Sequence, residues 1–142
     1  MKKNILLLVL FLSLISFIPK TKASTDTAYS YVLMDLDSGR VLKSKNKDTP
    51  LLIASITKIM TAIIAIENKD INDIVTVDES VKKSYGSGIY ISIGEEITLK
   101  DLLYGLMLRS GNDAAIMIST YISGSEESFV KLMNQKAKEI GM

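Results

Sequence analysis

Residues 53–61 read Ile53-Ala54-Ser55-Ile56-Thr57-Lys58-Ile59-Met60-Thr61, and a further apolar run follows without proline or glycine. Such a stretch predicts a helix that is apolar nearly all round and therefore buried in a domain core. It is too short to span a bilayer. Because Ser55 and Lys58 are three residues apart, a helix brings their side chains to one face as neighbours.

Lys58 is unusual in these apolar surroundings, because burial of an unpaired charge is costly. Desolvation lowers the pKa of a lysine and favours the neutral amine, a base that can deprotonate a nearby hydroxyl. The pair therefore predicts an activated serine. The same Ser-x-x-Lys spacing recurs at Ser44, Ser80 and Ser128 in polar or amphipathic surroundings, so the spacing alone is weak support.

Composition narrows the possible chemistry. The 142 residues are 47% hydrophobic and 23% charged, which is ordinary for one globular domain. The sequence has no cysteine, which excludes thiol catalysis and disulfides, and no histidine, which excludes a Ser-His-Asp triad and histidine-based zinc sites. A nucleophilic serine would need a lysine, a carboxylate or another hydroxyl as its base, and this favours Lys58.

The first 23 residues have the features of a secretory signal peptide. Lys2 and Lys3 precede an apolar run over residues 5–17, and Thr21-Lys22-Ala23 matches a small-x-small cleavage site, so the mature chain is expected to begin at Ser24. A membrane anchor is the alternative, but the run is shorter than a spanning helix needs. Removal of this segment takes the formal charge from +1 to −3, which gives no electrostatic basis for nucleic-acid binding.

The remaining chain predicts a mixture of short strands and helices. Residues 29–36 and 41–43 are expected to form an antiparallel hairpin about the turn at residues 37–40, and residues 73–77 a short strand. Residues 84–90, Ser84-Tyr85-Gly86-Ser87-Gly88-Ile89-Tyr90, form a glycine-serine loop. A plain surface loop is the simpler interpretation, and a loop bordering a cleft is the functional one.

Three helices are predicted after this loop. Thr98 with Asp101 is a capping signal for a helix through Arg109, a second helix covers residues 114–122, and Ser125 caps a third. Ser110-Gly111-Asn112 lies at the junction of the first two. A helix stop followed by an N-cap at Asn112 or Asp113 explains the tripeptide alone. Its pairing with the Ser55–Lys58 stretch favours a functional role.

Together these residues resemble the serine-type D-alanyl-D-alanine carboxypeptidases of peptidase family S11, the low-molecular-mass penicillin-binding proteins. The superfamily carries the motifs Ser-x-x-Lys, Ser-Asp-Asn and Lys-Thr-Gly. The carboxypeptidase branch resembles the variant seen here, in which Gly111 replaces the aspartate. The resemblance extends over nearly the whole mature chain and rests on Asp35-Leu36-Asp37-Ser38-Gly39, Ala54 to Thr61, Gly94-Glu95 and the long run from Asp101 to Ala115.

The resemblance implies roles for four residues. Ser55 would be the nucleophile that forms an acyl-enzyme with the penultimate D-alanine of a peptidoglycan stem pentapeptide. Lys58 would accept the Ser55 proton, Ser110 would relay a proton toward the leaving D-alanine, and Asn112 would hold the substrate amide and orient Lys58. The backbone N–H of Ser55 would form half of an oxyanion hole. No metal and no organic cofactor is implied, and β-lactams are expected to acylate Ser55 as covalent inhibitors.

The implied fold is α+β, of the β-lactamase/transpeptidase type, with an antiparallel sheet packed on a helical cluster. Residues 24–142 would form its N-terminal portion, since the Lys-Thr-Gly motif does not occur in this sequence. The family's membrane-anchoring segment would also follow residue 142. We expect an exported protein at the outer face of the cytoplasmic membrane, and we expect residues 24–142 alone to be inactive and marginally folded.

Two other functions remain open at this point. A serine β-lactamase of the same superfamily would share the motifs but deacylate rapidly. A non-catalytic module that binds the cell wall or senses β-lactams would have no need of a buried lysine beside a serine, so the four intact site residues favour an enzyme.

Overall fold

The computed structural model of the protein describes residues 26–142, so the predicted signal peptide over residues 1–23 lies outside the described residues. Within residues 26–142, no helix is long and apolar enough to cross a lipid bilayer. The chain divides into two compact units, Met1–Pro50 and Leu51–Met142.

The described part of the first unit contains the predicted hairpin. Strand β1, Tyr31–Met34, pairs antiparallel with strand β2, Val41–Lys45. The turn between them is closed by the Gly39 N–H, which donates to the Asp35 carbonyl at 2.9 Å. Gly39 adopts a φ of +68°, which a glycine reaches without steric cost. The hairpin prediction is confirmed, with a shorter first strand than expected.

The second unit is a helical cluster with one small sheet. Its regular elements, in chain order, are helix α1 (Thr57–Asn68), strand β3 (Ile74–Thr76), strand β4 (Glu96–Thr98), helix α2 (Leu99–Leu108), helix α3 (Asn112–Ser123) and helix α4 (Glu126–Glu139). Two 3₁₀ turns, Ala54–Ile56 and Glu79–Lys83, precede α1 and follow β3.

Side-chain caps set the starts of two of these helices as the sequence predicts. The Thr98 hydroxyl accepts from the Asp101 N–H at 3.0 Å at the start of α2, and the Ser125 hydroxyl accepts from the Ser128 N–H at 3.1 Å at the start of α4. Each bond satisfies an N–H that has no acceptor within its helix.

Strand β4 is a strand that the sequence analysis did not predict. It pairs antiparallel with β3, with Val75 opposite Ile97, and leads directly into α2. The predicted strand over residues 73–77 is confirmed as the shorter β3. This small sheet fixes the start of α2, because the Leu99 N–H donates to the carbonyl of Asp73 at 2.9 Å.

The core of the second unit lies between α1, α2, α3 and the residues of β3. Its fully buried side chains include Val75, Val77, Leu99, Leu102, Leu106, Met117 and Ile118. Burial of one such leucine or isoleucine contributes about 1.5–3 kcal/mol. Ala62 and Ala65 of α1 and Ala114 of α3 complete this core, and their small side chains allow close helix packing.

Helix α1 is confirmed, but the prediction that it is buried all round is wrong. Ala65 is fully buried and Ile64 is 2% exposed, whereas Ile59 and Ile66 are 49% and 59% exposed. The helix therefore buries one face against α2 and α3 and leaves an apolar face open. Sequence composition alone could not separate these two faces, because both are apolar.

We expect Leu102→Ala to lower the free energy of unfolding by about 2–5 kcal/mol, because it leaves a cavity in this core. Leu108→Ala in the same helix is the matched control, since Leu108 is 76% exposed. A surface change of this kind is expected to alter stability by about 0.5 kcal/mol or less. Urea unfolding of both variants measures the difference, and equal effects would contradict the assigned core.

Candidate active site

The four residues singled out by the sequence lie together in the second unit. Ser55 lies in the 3₁₀ turn before α1, and Lys58 lies in the first turn of α1. Ser110 lies in the turn between α2 and α3, and Asn112 is the first residue of α3. This turn is closed by the Gly111 N–H, which donates to the carbonyl of Gly105 at 3.1 Å. The fold thus brings together two segments more than fifty residues apart.

Lys58 is the centre of the hydrogen-bond network. Its partly buried ammonium donates to the carbonyl oxygen of Ser110 at 2.8 Å, to Ser110 Oγ at 3.1 Å and to Asn112 Oδ1 at 2.6 Å. These acceptors match the three N–H groups of a charged lysine. Lys58 forms no ion pair among the described residues, so the three dipoles replace the water lost on burial.

Ser55 reaches Lys58 through Ser110. The Ser110 hydroxyl donates to Ser55 Oγ at 2.8 Å and accepts from Lys58 Nζ. Within residues 26–142 no direct hydrogen bond joins Ser55 to Lys58. The side chain of Ser55 is exposed, as access to a substrate requires. Ser55, Ser110 and Lys58 therefore form a continuous chain of groups that can pass a proton.

Asn112 connects this chain to the loop over residues 84–90. Its Nδ2 donates to the carbonyl of Tyr85 at 2.5 Å while its Oδ1 faces Lys58, and its backbone N–H donates to the carbonyl of Ser87 at 2.7 Å. The N-cap of α3 is Gly111, which makes no side-chain cap. The helix-stop interpretation is thus correct for the backbone but not for Asn112, whose side chain bonds across the site.

The glycine-serine loop borders the site, as the functional interpretation of this segment proposed. Besides its two bonds to Asn112, it contacts the buried carboxylate of Asp113 through the N–H groups of Ile89 and Tyr90. Asp113 is a site residue to which sequence analysis assigns no role at the site: it names Asp113 as an alternative N-cap and includes it in the run from Asp101 to Ala115. Its position directly after Ser110-Gly111-Asn112 was the available signal.

Backbone strain is concentrated at the site. Ala54, Tyr90 and Ser110 have φ angles of +48°, +61° and +54°. For residues other than glycine this left-handed region costs on the order of 1–3 kcal/mol each. Ala54 directly precedes Ser55, and Ser110 is itself a member of the network. The strained conformations therefore set the directions of the two hydroxyls.

The pKa of Lys58 is lowered below the ordinary lysine value of 10.5, chiefly because burial disfavours the ammonium. The negative charge of Asp113 acts in the opposite direction and raises the same pKa. Desolvation is the larger effect. Lys58 is thus a stronger candidate for a neutral amine than a solvated surface lysine.

A cavity of about 420 Å³ opens beside these groups. Ser55, Lys58 and Asn112 line it at the site, and Phe129 and Met133 of α4 contribute apolar surface. The hydroxyl of Ser55 and the amine of Lys58 therefore line a mainly apolar cavity, as is typical of sites for small organic ligands.

Comparison with known proteins identifies proteins to which this chain is similar. The D-alanyl-D-alanine carboxypeptidase DacF of Bacillus subtilis is 40% identical over an alignment of 156 positions, which covers 100% of this chain and 40% of DacF. The crystal structure of the D-alanyl-D-alanine carboxypeptidase DacD from Francisella tularensis superposes with a TM-score of 0.79 at 35% identity, covering 89% of this chain and 32% of that one. Penicillin binding protein 5 from Haemophilus influenzae superposes with a TM-score of 0.77 at 31% identity, covering 86% and 38%.

These likenesses confirm the predicted α+β, transpeptidase-like fold for the part of it that this chain spans. The chain covers about two fifths of the length of DacF, and less of the two solved structures. The family model described as D-alanyl-D-alanine carboxypeptidase, Peptidase_S11, matches residues 18–142. The chain therefore belongs to the D-alanyl-D-alanine carboxypeptidase family.

Proposed function

We propose that the protein is a serine-type carboxypeptidase that removes the terminal D-alanine from peptidoglycan stem peptides through an acyl-enzyme at Ser55. The observation that carries this proposal is the chain of hydrogen bonds from Ser55 through Ser110 to Lys58. A serine hydroxyl is a weak nucleophile and needs an adjacent base, and the base needs a group that orients it. Lys58 supplies the base and Asn112 orients it.

Acylation begins with Lys58 as the neutral amine. Ser55 Oγ attacks the carbonyl carbon of the penultimate D-alanine, its proton passes to Ser110 Oγ, and the Ser110 proton passes to Lys58 Nζ. The C–N bond of the resulting tetrahedral intermediate then breaks. A proton returns through Ser110 to the leaving amine of D-alanine, and the peptide remains as an ester on Ser55.

The distances between the heavy atoms suit this transfer in either direction. With Lys58 charged, the ammonium donates to Ser110 Oγ and Ser110 donates to Ser55. With Lys58 neutral, both hydroxyls rotate, so that Ser55 donates to Ser110 and Ser110 donates to the amine. No heavy atom has to move, which keeps the cost of reorganisation small.

Two further groups would bind the substrate and stabilise the transition state, namely the Asn112 side chain and the backbone N–H of Ser55. Asn112 would hold the substrate amide in addition to orienting Lys58. The N–H of Ser55 belongs to the first turn of a helical segment, where N–H groups have no intrahelical acceptor, and it would donate to the developing oxyanion. Hydrolysis of the ester by water releases the shortened stem peptide and restores Ser55. None of these steps needs a metal or an organic cofactor.

A peptidoglycan substrate would require the protein to act outside the cytoplasmic membrane, and the predicted signal peptide supports this location. β-Lactams resemble the terminal D-alanyl-D-alanine and would acylate the same serine. The Lys-Thr-Gly motif, which this sequence does not contain, would supply carboxylate recognition and the second oxyanion donor from a later part of a longer protein.

The proposal is tested by the intact mass of the protein recovered from its own cells after exposure to benzylpenicillin. We expect an added mass of one benzylpenicillin molecule, because opening of the lactam ring expels no fragment, and we expect the adduct to map to Ser55. Ser55→Ala should abolish it. Ser44→Ala is the matched control, since Ser44 also precedes a lysine by three residues and lies in β2 of the first unit.

The other functions give different results in the same experiment. A serine β-lactamase would release hydrolysed penicillin and accumulate little adduct. A wall-binding module would show no adduct and would keep its affinity for peptidoglycan after Ser55→Ala. A carboxypeptidase would release D-alanine from a synthetic peptide that ends in D-alanyl-D-alanine. The Ser55→Ala variant should lose this activity.

The rate of acylation should rise with pH. Below its pKa Lys58 is an ammonium without a lone pair and cannot accept the proton, so the rate is low. Above it the amine is neutral and the rate reaches a plateau. Because burial lowers this pKa, the midpoint should lie below 10.5.

Stopped-flow measurement of benzylpenicillin acylation against pH locates this midpoint. Lys58→Ala should slow acylation by about 10²–10⁴-fold, the usual contribution of a general base, and should abolish the rise with pH. A Lys58→Ala variant that retained both the rate and the rise would exclude Lys58 as the base.

A further inference from the structure

We propose that Asp113 is a positioning residue for the Ser55–Lys58 pair. In this proposal its buried carboxylate holds the loop over residues 84–90, and the loop in turn fixes the Asn112 amide against Lys58. The inference rests on the proposed acyl transfer at Ser55 and assigns a role to a residue outside the Ser-x-x-Lys and Ser-Gly-Asn motifs.

Asp113 is 4% exposed, and its bonding partners are backbone amides. Its carboxylate accepts from the Ile89 N–H at 3.1 and 3.0 Å, from the Tyr90 N–H at 2.7 Å and from the Ala114 N–H at 2.8 Å. Within residues 26–142 it forms no ion pair. A buried carboxylate that is satisfied by N–H groups of another segment ties that segment to its own helix.

The shape of the loop is matched to this carboxylate. A Cβ on Gly88 would lie 2.8 Å from Asp113 Oδ2, closer than carbon and oxygen can approach, so a residue with a side chain would push the two apart. Tyr90 adopts a φ of +61°, and its N–H makes the 2.7 Å bond to Asp113. The bond to Asp113 thus holds Tyr90 in a strained conformation.

The loop then determines which way the Asn112 amide faces. Nδ2 donates to the Tyr85 carbonyl, and this leaves Oδ1 as the atom that faces Lys58 Nζ at 2.6 Å. A rotation of the amide by 180° would direct its N–H₂ group at the N–H groups of Lys58, donor against donor. If the loop moved, Nδ2 would lose the Tyr85 carbonyl, and only the bond from Lys58 to Oδ1 would hold the amide in this orientation.

Asp113 also acts on Lys58 through its charge. Its negative charge raises the pKa of Lys58 against the larger effect of burial. Glu126 of α4 lines the same cavity as Lys58 and lies 3.9 Å from Lys83, and the exposed Arg109 directly precedes Ser110 in the chain. Residues 84–90 carry no charged side chain. Asp113 therefore has two separable effects, one on geometry and one on charge.

Two substitutions separate these effects in the protein as its own cells produce it. Asp113→Asn keeps the size of the side chain and removes the charge, and one of its carboxylate acceptors becomes a donor facing the loop N–H groups. We expect benzylpenicillin acylation to slow by roughly 10²-fold, as for other small displacements of catalytic groups. The midpoint of its pH profile should move to lower pH. Asp113→Glu keeps the charge and displaces the oxygens, so its rate should fall with little change of the midpoint.

Asp101→Asn is the matched control, since Asp101 also lies in the first turn of a helix and bonds a neighbouring hydroxyl, that of Thr98, at 2.6 Å. It should leave both the rate and the midpoint unchanged. Gly88→Ala displaces the loop without touching any charge. It should slow acylation at an unchanged midpoint, and it tests the proposal even where Asp113→Asn fails to fold.

The outcomes are distinct. Wild-type rate and midpoint in folded Asp113→Asn would overturn the proposal, as would a smaller burst of adduct formed at the wild-type rate, which is the signature of partial unfolding alone. Wild-type kinetics in Gly88→Ala would overturn the role of the loop. Failure of the wild-type protein to acylate would instead overturn the proposed function.

Discussion

The charged ammonium of Lys58 is partly buried and needs three hydrogen-bond acceptors, and much of the second unit is arranged around this requirement. The acceptors come from the turn between α2 and α3, more than fifty residues away along the chain. A displaced turn would leave a buried donor unsatisfied, at a cost of about 1–3 kcal/mol or more for a charged group. The position of the turn and the side chain of Lys58 therefore stabilise each other.

The core beneath the site makes this arrangement rigid. Ala65 of α1 and Ala114 of α3 are fully buried, and their small side chains bring the two helices close. Leu102 and Leu106 hold α2 against both. A close-packed core of this kind resists deformation, so it can maintain left-handed backbone conformations such as that of Ser110 that an isolated turn would not keep.

Local signals in the sequence predicted much of this structure. The capping residues Thr98 and Ser125, the apolar run of α1 and the Ser110-Gly111-Asn112 junction depend on residues close together in the chain, and each prediction matches an observed element. Strand β4 escaped prediction because it is only three residues long and its partner lies some twenty residues earlier. The exposed face of α1 was not predicted, because apolar composition does not show which side of a helix packs against its neighbours.

The contribution of Asp113 was hidden for a different reason. Its partners are the backbone N–H groups of Ile89 and Tyr90, and every residue except proline has such a group. The residue types in the loop therefore do not predict this hydrogen bond. Gly88 was the available signal, because a glycine is needed where the loop meets the carboxylate, but glycine is also common in ordinary surface loops.

The three partners of Lys58 differ in what they can do, and this difference gives the network its direction. The carbonyl of Ser110 and Oδ1 of Asn112 can only accept, whereas the Ser110 hydroxyl can accept or donate. A neutral amine has two N–H groups and one lone pair. When its two N–H groups remain on the two fixed acceptors, the lone pair faces Ser110 Oγ, which is bonded to Ser55. Loss of one proton from the Lys58 ammonium thus produces a base whose lone pair already faces Ser110 Oγ, the atom that connects it to Ser55. The orientation of the Asn112 amide is essential to this, because a rotated amide would present a donor and draw the lone pair away from Ser110.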